Sequence, residues 1–303
     1  MNQQTKITTN YKLPVANGTH HDCLGSHIPT IGGASRAIDR AIEIGCTAMQ
    51  IFVKNNMQWF AKPLSEEEVN SFIHHPLRSH LKAVIAHAGY LINLAVENSE
   101  NHEKSLQSLS EELIRCDQLQ IPFLVLHPGA HLGKGIEHGI HCVIQSLNQI
   151  HQHLPHLKVR IALETTAGQG TCLGSRFEEI AEIIARINDP ERLRICFDTA
   201  HVFAAGYDLS MPHGAEKVFA RLNKILPLHQ LCAIHLNDSK SGLNSHVDRH
   251  EHLGEGKIGT ETFRWIMNAP ELAMLPKILE TPKGKDLAED IIAMKLLRSF
   301  IKR

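Results

Sequence analysis

Eight short apolar runs recur along the chain, at residues 23–28, 48–53, 83–87, 123–127, 160–165, 194–199, 231–237 and 276–281. Each is followed by a loop and then a stretch of helical period, near 33–45, 65–80, 101–119, 136–154, 175–187, 213–226, 259–268 and 286–301. The runs are continuously apolar rather than alternating and mostly rich in Val, Ile and Leu, which suits strands covered on both faces, as in a parallel sheet. Eight strand-then-helix units in about 280 residues predict a single-domain α/β fold, a (β/α)8 TIM barrel. A doubly wound open sheet is the fallback, but no glycine-rich turn follows the first run to support it. Most loops are short. The exception follows the seventh run, from 238 to about 256; it is polar with little helical character, and loops of such length are often functional. Residues 1–21 are polar without a clear period and predict a flexible arm outside the fold, leaving 22–303 for the barrel.

Composition narrows the function classes. With 43% hydrophobic and 21% charged residues, the 303-residue chain has an ordinary globular balance. Lys+Arg 31 against Asp+Glu 32 gives a formal charge of −1, which excludes nucleic-acid or membrane binding through bulk positive charge but leaves a local patch open. No stretch approaches the ~18–20 apolar residues of a membrane span, and the N-terminus lacks the apolar core of a signal peptide; the cytoplasm is expected. Seven cysteines are scattered and never form C-x-x-C, so neither a disulfide framework nor a Cys-type zinc module is expected, and each is read as a small buried residue. Histidine is the outlier, at 22 residues, and it is the commonest metal ligand.

The metal-capable residues fall at the ends of the predicted strands. The third run ends at His87, the fourth at His127 and the fifth runs into Glu164. The sixth reaches Asp198, with His201 three residues on, and the seventh carries His235. The long loop holds Asp248 and His250, and the eighth run reaches Glu280. All lie at or just beyond the C-terminal ends of barrel strands, where barrel enzymes place their chemistry. Any one alone is well explained as a hydrogen-bonded strand end, and Asp198 or Glu280 as a helix cap. Five histidines and four carboxylates on one rim are not, because buried acids repel one another and are costly without cations. The set is too large for one tetrahedral ion and suits two or three. Imidazole with carboxylate fits Zn2+ best, with Mn2+ or Fe2+ as alternatives. Asp248 and His250, close on one loop, pair with His201 as a separate mononuclear site. Three divalent ions would turn the formal −1 into about +5, a pocket suited to phosphate.

The segments AHAGYLINL, HPGAHLG, ETTAGQG, CFDTAHVFAAGYDL, HLNDSK, VDRHEHLGEGKIG and ILET, in that order, closely resemble the endonuclease IV family of apurinic/apyrimidinic endonucleases. The resemblance runs from about Leu24 to the C-terminus. It implies a (β/α)8 barrel with three zinc ions that cuts duplex DNA 5′ to abasic sites, leaving a 3′-hydroxyl and a 5′-deoxyribose phosphate, and that clears blocked 3′ ends. It implies that His87, His127 and Glu164 hold the first ion, and that Glu164 bridges to a second completed by Asp198, His235 and Glu280. His201, Asp248 and His250 would hold the third, and Glu164 is the residue on which turnover should depend. Where many members have Gln-Arg in the loop after the second strand, this chain has Asn56-Met57; Ala200 replaces a frequent Cys, and Asn244-Ser245-His246 stands where Gly-Ser-Arg is frequent.

DNA must then be gripped by rim loops. Lys54, Asn56, Met57 and Trp59 form one candidate segment, Tyr90 and Leu91 another, and Arg249 is a candidate phosphate contact. Met57 suits an apolar wedge, whereas Trp59 and Phe60 equally suit packing between barrel and helix. His27 and His131 are placed near the rim, and His74, His75, His138, His151, His153 and His156 on solvated helix faces. The expected partner is double-stranded DNA with abasic sites or blocked 3′ ends, bound by a monomer, with nucleoid association through that DNA in a bacterium. Two other readings stand beside this one. A metal-dependent sugar isomerase or epimerase would use Glu164, Asp198, His235 and Glu280 but leave the other five without a collective reason. A non-catalytic abasic-DNA binder would keep the site without turnover.

Overall fold

The computed structural model describes residues 22–284 and 286–302; the arm expected over 1–21 lies outside the described residues. Eight parallel strands close into a barrel: β1 (Leu24–His27), β2 (Ala48–Phe52), β3 (Ala83–His87), β4 (Phe123–Leu126), β5 (Arg160–Glu164), β6 (Leu193–Asp198), β7 (Leu231–His235) and β10 (Lys277–Leu279). Each lies within, or one residue outside, an apolar run of the sequence. The helices α1 (Ala34–Glu43), α2 (Glu66–Ile73), α3 (Glu100–Gln118), α4 (Ile136–His153), α5 (Phe177–Arg186), α7 (Gly214–Ile225), α8 (Thr260–Asn268) and α9 (Ala288–Phe300) follow the strands as expected, except that α2 stops at Ile73, short of 80, where a separate 3-10 turn over Arg78–His80 ends the stretch. Their starts are locally encoded. Ser65 accepts from the Glu68 amide while the Glu68 carboxylate accepts from the Ser65 amide, a reciprocal cap for α2. Ser99 caps α3 through the His102 amide.

Two cores result. The larger fills the space between the barrel and its helices, with Phe72, Phe177, Phe197, Phe219 and Phe263 fully buried. The smaller comprises Cys23, Ala48, Ile85, Val125, Ala162, Cys196, Cys232, Ala233 and Ile278. Side chains alternate along a strand with period two. Residues two beyond Ala48, Ile85, Val125, Ala162, Cys196, Ala233 and Ile278 therefore share their face: Gln50, His87, His127, Glu164, Asp198, His235 and Glu280. Register then sets neighbours. Asp198 pairs with His235 across β6 and β7, and His235 lies beside Ile278 of β10. Gly25 allows β1 to approach β2, since a Cβ there would stand 1.7 Å from the Ala48 carbonyl oxygen.

Two features were not legible beforehand. A sixth helix, α6 (Thr199–Ala204), starts directly off β6, with the Asp198 carboxylate accepting from the His201 amide at 2.8 Å. Six residues are too few for a period to register. The long loop is ordered around a short antiparallel ribbon, β8 (Asp238–Ser239) with β9 (His250–Glu251). The buried Asp238 carboxylate accepts from the amides of Ser239, Gly254, Gly256 and Ile258 and folds the loop back on itself. Gly256 is needed there, because a Cβ would stand 2.4 Å from Asp238 Oδ1. Among the described residues no helix is long and apolar enough to cross a membrane.

Candidate metal centre

At the C-terminal end of the barrel the nine metal-capable residues meet. Glu164 is central and fully buried. Its Oε2 lies 3.1 Å from both His87 Nε2 and His127 Nε2, and its Oε1 lies 2.9 Å from His235 Nδ1. His235 Nδ1 is also 3.0 Å from Glu280 Oε2 and 3.7 Å from Asp198 Oδ2. On the other side, Asp248 reaches His201 Nε2 at 3.1 Å and His250 Nε2 at 3.4 Å, and His250 Nε2 is 3.8 Å from Asp198 Oδ2. Three groups emerge with donor atoms within 4.8 Å of one another: His87, His127 and Glu164; Glu164, Asp198, His235 and Glu280; and Asp198, His201 and His250.

The hydrogen bonds of the far ring nitrogens show what these contacts want. His87 Nδ1 donates to the Ala88 carbonyl at 2.8 Å, His201 Nδ1 to the Thr165 carbonyl at 2.8 Å, and His250 Nδ1 to the Glu280 carbonyl at 3.2 Å. His235 Nε2 faces Gln50 Oε1 at 2.8 Å. The orientation of that amide is settled by Gln50 Nε2, which donates to Glu280 Oε1 at 2.6 Å. Carbonyl oxygens only accept, so in each neutral ring the proton sits on the far nitrogen and a bare lone pair faces the carboxylates. Lone pair against carboxylate is repulsive unless a proton or a cation lies between. This outer tethering is what ligand histidines use to fix tautomer and aim. His250 Nε2 is buried and makes no hydrogen bond at all.

The electrostatics agree. Burial pushes the Glu164 carboxyl up, but His235 and His127 outweigh it and hold the group well below the ordinary range. Burial likewise favours neutral His201 and His235, yet Asp198, Asp248 and Glu164 drive His201, and Cys196 with Glu280 and Glu164 drives His235, well above the usual imidazole range. Asp248, against the pull of burial, is held down to about 2 by His201 and His250. A divalent cation would take the place of those protons. The donor set of imidazoles and carboxylates, without thiolate, fits Zn2+ or a neighbour of it.

The DNA-contact candidates separate. Met57 and Tyr90 are each 62% exposed on adjacent loops, with the Tyr90 amide donating to the Asn56 carbonyl at 3.1 Å. The Tyr90 ring stands edge-on to Phe52 at 5.5 Å and to His87 at 6.2 Å. Arg249 is exposed, Phe60 is partly so, and Asn56, Trp59 and Leu91 are half-buried. Lys54 is not available to DNA. Its ammonium is buried 2.9 Å from Glu112 of α3 and donates to the Gln58 carbonyl, so it braces the loop from beneath. His151 also differs from expectation: it is buried on α4, not solvated. His131 accepts from the Gly135 amide within its loop, and His27 Nδ1 lies 3.4 Å from Glu280 Oε1.

Sequence reasoning missed Gln50 and Asn237. Asn237 Nδ2 donates to Asp198 Oδ2 at 2.6 Å, and its Oδ1 accepts from the Glu280 amide at 2.8 Å. A polar residue on the interior face of an apolar run was the available signal for Gln50.

A closed barrel with an acid–imidazole cluster at its C-terminal rim is the architecture of the xylose isomerase-like class, and the family model described as xylose isomerase-like TIM barrel matches residues 38–299. Within that class the chain belongs to the endonuclease IV family. It is 47% identical over 277 residues to the probable endonuclease 4 of Chloroflexus aurantiacus, spanning 91% of this chain and 97% of that one. The solved endonuclease IV from Thermus thermophilus superposes with a TM-score of 0.80 at 33% identity, covering 91% and 98% of the two chains. A D-tagatose 3-epimerase-like protein shares the fold at a TM-score of 0.68 and 18% identity, covering 91% of this chain and 96% of its own.

Proposed function

We propose that this protein is a metal-dependent endonuclease that hydrolyses the phosphodiester 5′ to abasic sites in duplex DNA, leaving a 3′-hydroxyl and a 5′-deoxyribose phosphate, and that also clears blocked 3′ ends. The observation that carries the reading is the set of four tethered histidines whose lone pairs converge on Glu164, Asp198, Asp248 and Glu280. His87, His127 and Glu164 would hold one zinc ion, Glu164 with Asp198, His235 and Glu280 a second, and His201, Asp248 and His250 a third. Such ions, when bound, lower the pKa of water and neutralise the charge that develops on phosphorus and on the leaving oxygen.

The chain's own residues do the rest. Glu164 presents one oxygen to each side of the cluster and keeps both sides in fixed relation. Gln50 and Asn237 hold His235, Glu280 and Asp198 in place from behind, so that little reorganisation is needed at the moment of reaction. Met57 and Tyr90 stand outward on neighbouring loops, where apolar side chains can wedge between base steps and favour an extruded nucleotide. Arg249, between two cluster residues in sequence, would position a phosphate.

The test is incision of a duplex carrying one abasic analogue by the metal-analysed protein, without added magnesium. Incision 5′ to the lesion with about three zinc ions per chain is expected. Glu164→Gln should abolish turnover while preserving the fold; near-wild-type cleavage by that variant at full metal occupancy would refute its role. Intact DNA at full occupancy would instead favour a sugar substrate, for which the second group of four suffices.

A further inference from the structure

A second set of donors converges away from the rim cluster, where the segment leading into α3 meets the first turns of α4. His138 and Cys142 are four residues apart on α4 and share a helix face, while Glu97 comes from the segment between β3 and α3. Cys142 Sγ lies 3.5 Å from His138 Nε2, and Glu97 Oε1 lies 3.7 Å from the same nitrogen. All three donor atoms fall within 4.8 Å of one another.

Two explanations short of a ligand site are available, and the geometry disfavours both. In a thiol–imidazole–carboxylate relay the ring stands between its partners, one on each nitrogen. Here both partners face Nε2, so one proton cannot serve both well and no relay is formed. A plain surface ion pair would account for Glu97 and His138 but not for a thiol aimed at the same point. Around a tetrahedral ion with a Zn–S bond of about 2.3 Å and a Zn–N bond of about 2.0–2.1 Å, sulfur and nitrogen lie about 3.6 Å apart. The observed separation of 3.5 Å matches that edge. Cys142 is buried, whereas the His138 and Glu97 side chains are 30% and 43% exposed, so the soft donor lines the floor and the harder ones the mouth. That leaves a path for entry and room for water in a fourth position.

We propose that Glu97, His138 and Cys142 form a second cation site, selective for a thiophilic divalent ion of the Zn2+ class, distinct from the rim cluster. Its donors tie α4 to the segment that runs from Tyr90 into α3, so the bound ion staples two elements that are otherwise joined there by side-chain contacts such as His102 Nε2 with Ser146 Oγ, 2.9 Å apart.

The experiment is a titration of the reduced, metal-stripped full-length protein with Co2+, following the near-ultraviolet thiolate-to-cobalt charge-transfer band. None of the rim donor groups includes a cysteine, so a band that Cys142→Ser removes reports the second site whether or not the nuclease reading is correct. A band saturating at about one equivalent is expected. Cys142→Ser should remove it, and His138→Ala, at a half-exposed position, should weaken the affinity at least tenfold. Cys172→Ser, at a partly exposed cysteine outside the proposed site, should leave the band unchanged. No band in the wild type, or a band that survives in both Cys142→Ser and His138→Ala, would overturn the proposal.

Discussion

Glu164 and Glu112 are both buried carboxylates, 0% and 1% exposed, yet they sit in opposite kinds of surroundings. Glu112 is complete within the protein. Lys54 supplies its counter-charge at 2.9 Å, the Gly89 amide donates to both of its oxygens, and the Lys54 ammonium also holds the Gln58 carbonyl. Burial still pushes its carboxyl up, with Lys54 opposing that. Among the described residues Glu164 forms no ion pair with Lys or Arg. It is faced by His87, His127 and His235, of which His87 and His235 have their far nitrogens already committed elsewhere, and by His201 Nδ1, which also donates to the Thr165 carbonyl while its Nε2 faces Asp248. A buried acid with an internal cation braces structure; a buried acid ringed by aimed lone pairs calls for an external one. His151 adds a third case, with neither a counter-ion nor a convergence of donors. Burial, helped by Arg192, lowers its pKa to about 4, so it stays neutral in the interior.

These differences can be broken experimentally. On the proposed function, the largest effect belongs to Glu164→Gln, for which incision should fall by roughly a thousandfold or more, because a neutral amide would weaken the hold on the cations proposed to carry the chemistry. Single-turnover cleavage measured beside metal content checks this, and restored activity at high zinc would show that the loss was one of affinity alone. Lys54→Met should instead cost about 3–5 kcal/mol of stability by stranding the Glu112 charge. Urea unfolding would reveal it, zinc should not rescue it, and Lys54→Met with Glu112→Leu should recover most of the loss. If the single variant is as stable as the parent, the brace is not one.

Gln50→Leu tests the tethering. Without Oε1 to hold the His235 Nε2 proton, zinc affinity should drop about 10–100-fold with the fold intact. Competition against a chromophoric chelator reads this, and an unchanged affinity would remove Gln50 from the account. For His151 the folded pKa of about 4 lies below the ordinary 6.5. Its neutral form is the folded one, so this contribution to stability is full above about pH 6.5 and is lost as pH falls towards 4. The loss should be on the order of 3 kcal/mol, and His151→Leu should flatten the pH dependence of the thermal midpoint over that window. The smallest effect is expected at exposed Arg249: Arg249→Ala should lower the slope of log affinity against log salt by about 1, uniformly across DNA sequences. An unchanged slope would place Arg249 outside the phosphate contacts.

Much of this was legible in advance because it is local. A run such as AVIAH followed by an amphipathic stretch specifies its own strand and helix, and the barrel count follows from repetition. Most of the rim residues were legible for the same reason, since His87, His127, Glu164, Asp198, His235 and Glu280 stand at the ends of their own runs, with His201 three residues beyond one and Asp248 and His250 in the long loop. Lys54 and His151 were misjudged because their surroundings come from distant segments. Lys54 reads as an exposed loop cation until α3 brings Glu112 beneath it, and His151 reads as surface until its helix is set against the neighbouring layer.

What the residues encode alone is the order of strands and helices, the interior face of each strand, and which chemical groups end each run. Period-two alternation is a property of the covalent chain and needs no partner. What they leave open is everything set by closing the barrel: that Asp198 stands beside His235, that Glu164 offers one oxygen to each side, and which nitrogen of each histidine is free. Register and tautomer depend on hydrogen bonds between segments far apart in sequence, 185 residues in the case of Gln50 and His235. Such bonds exist only once the fold has brought both ends together.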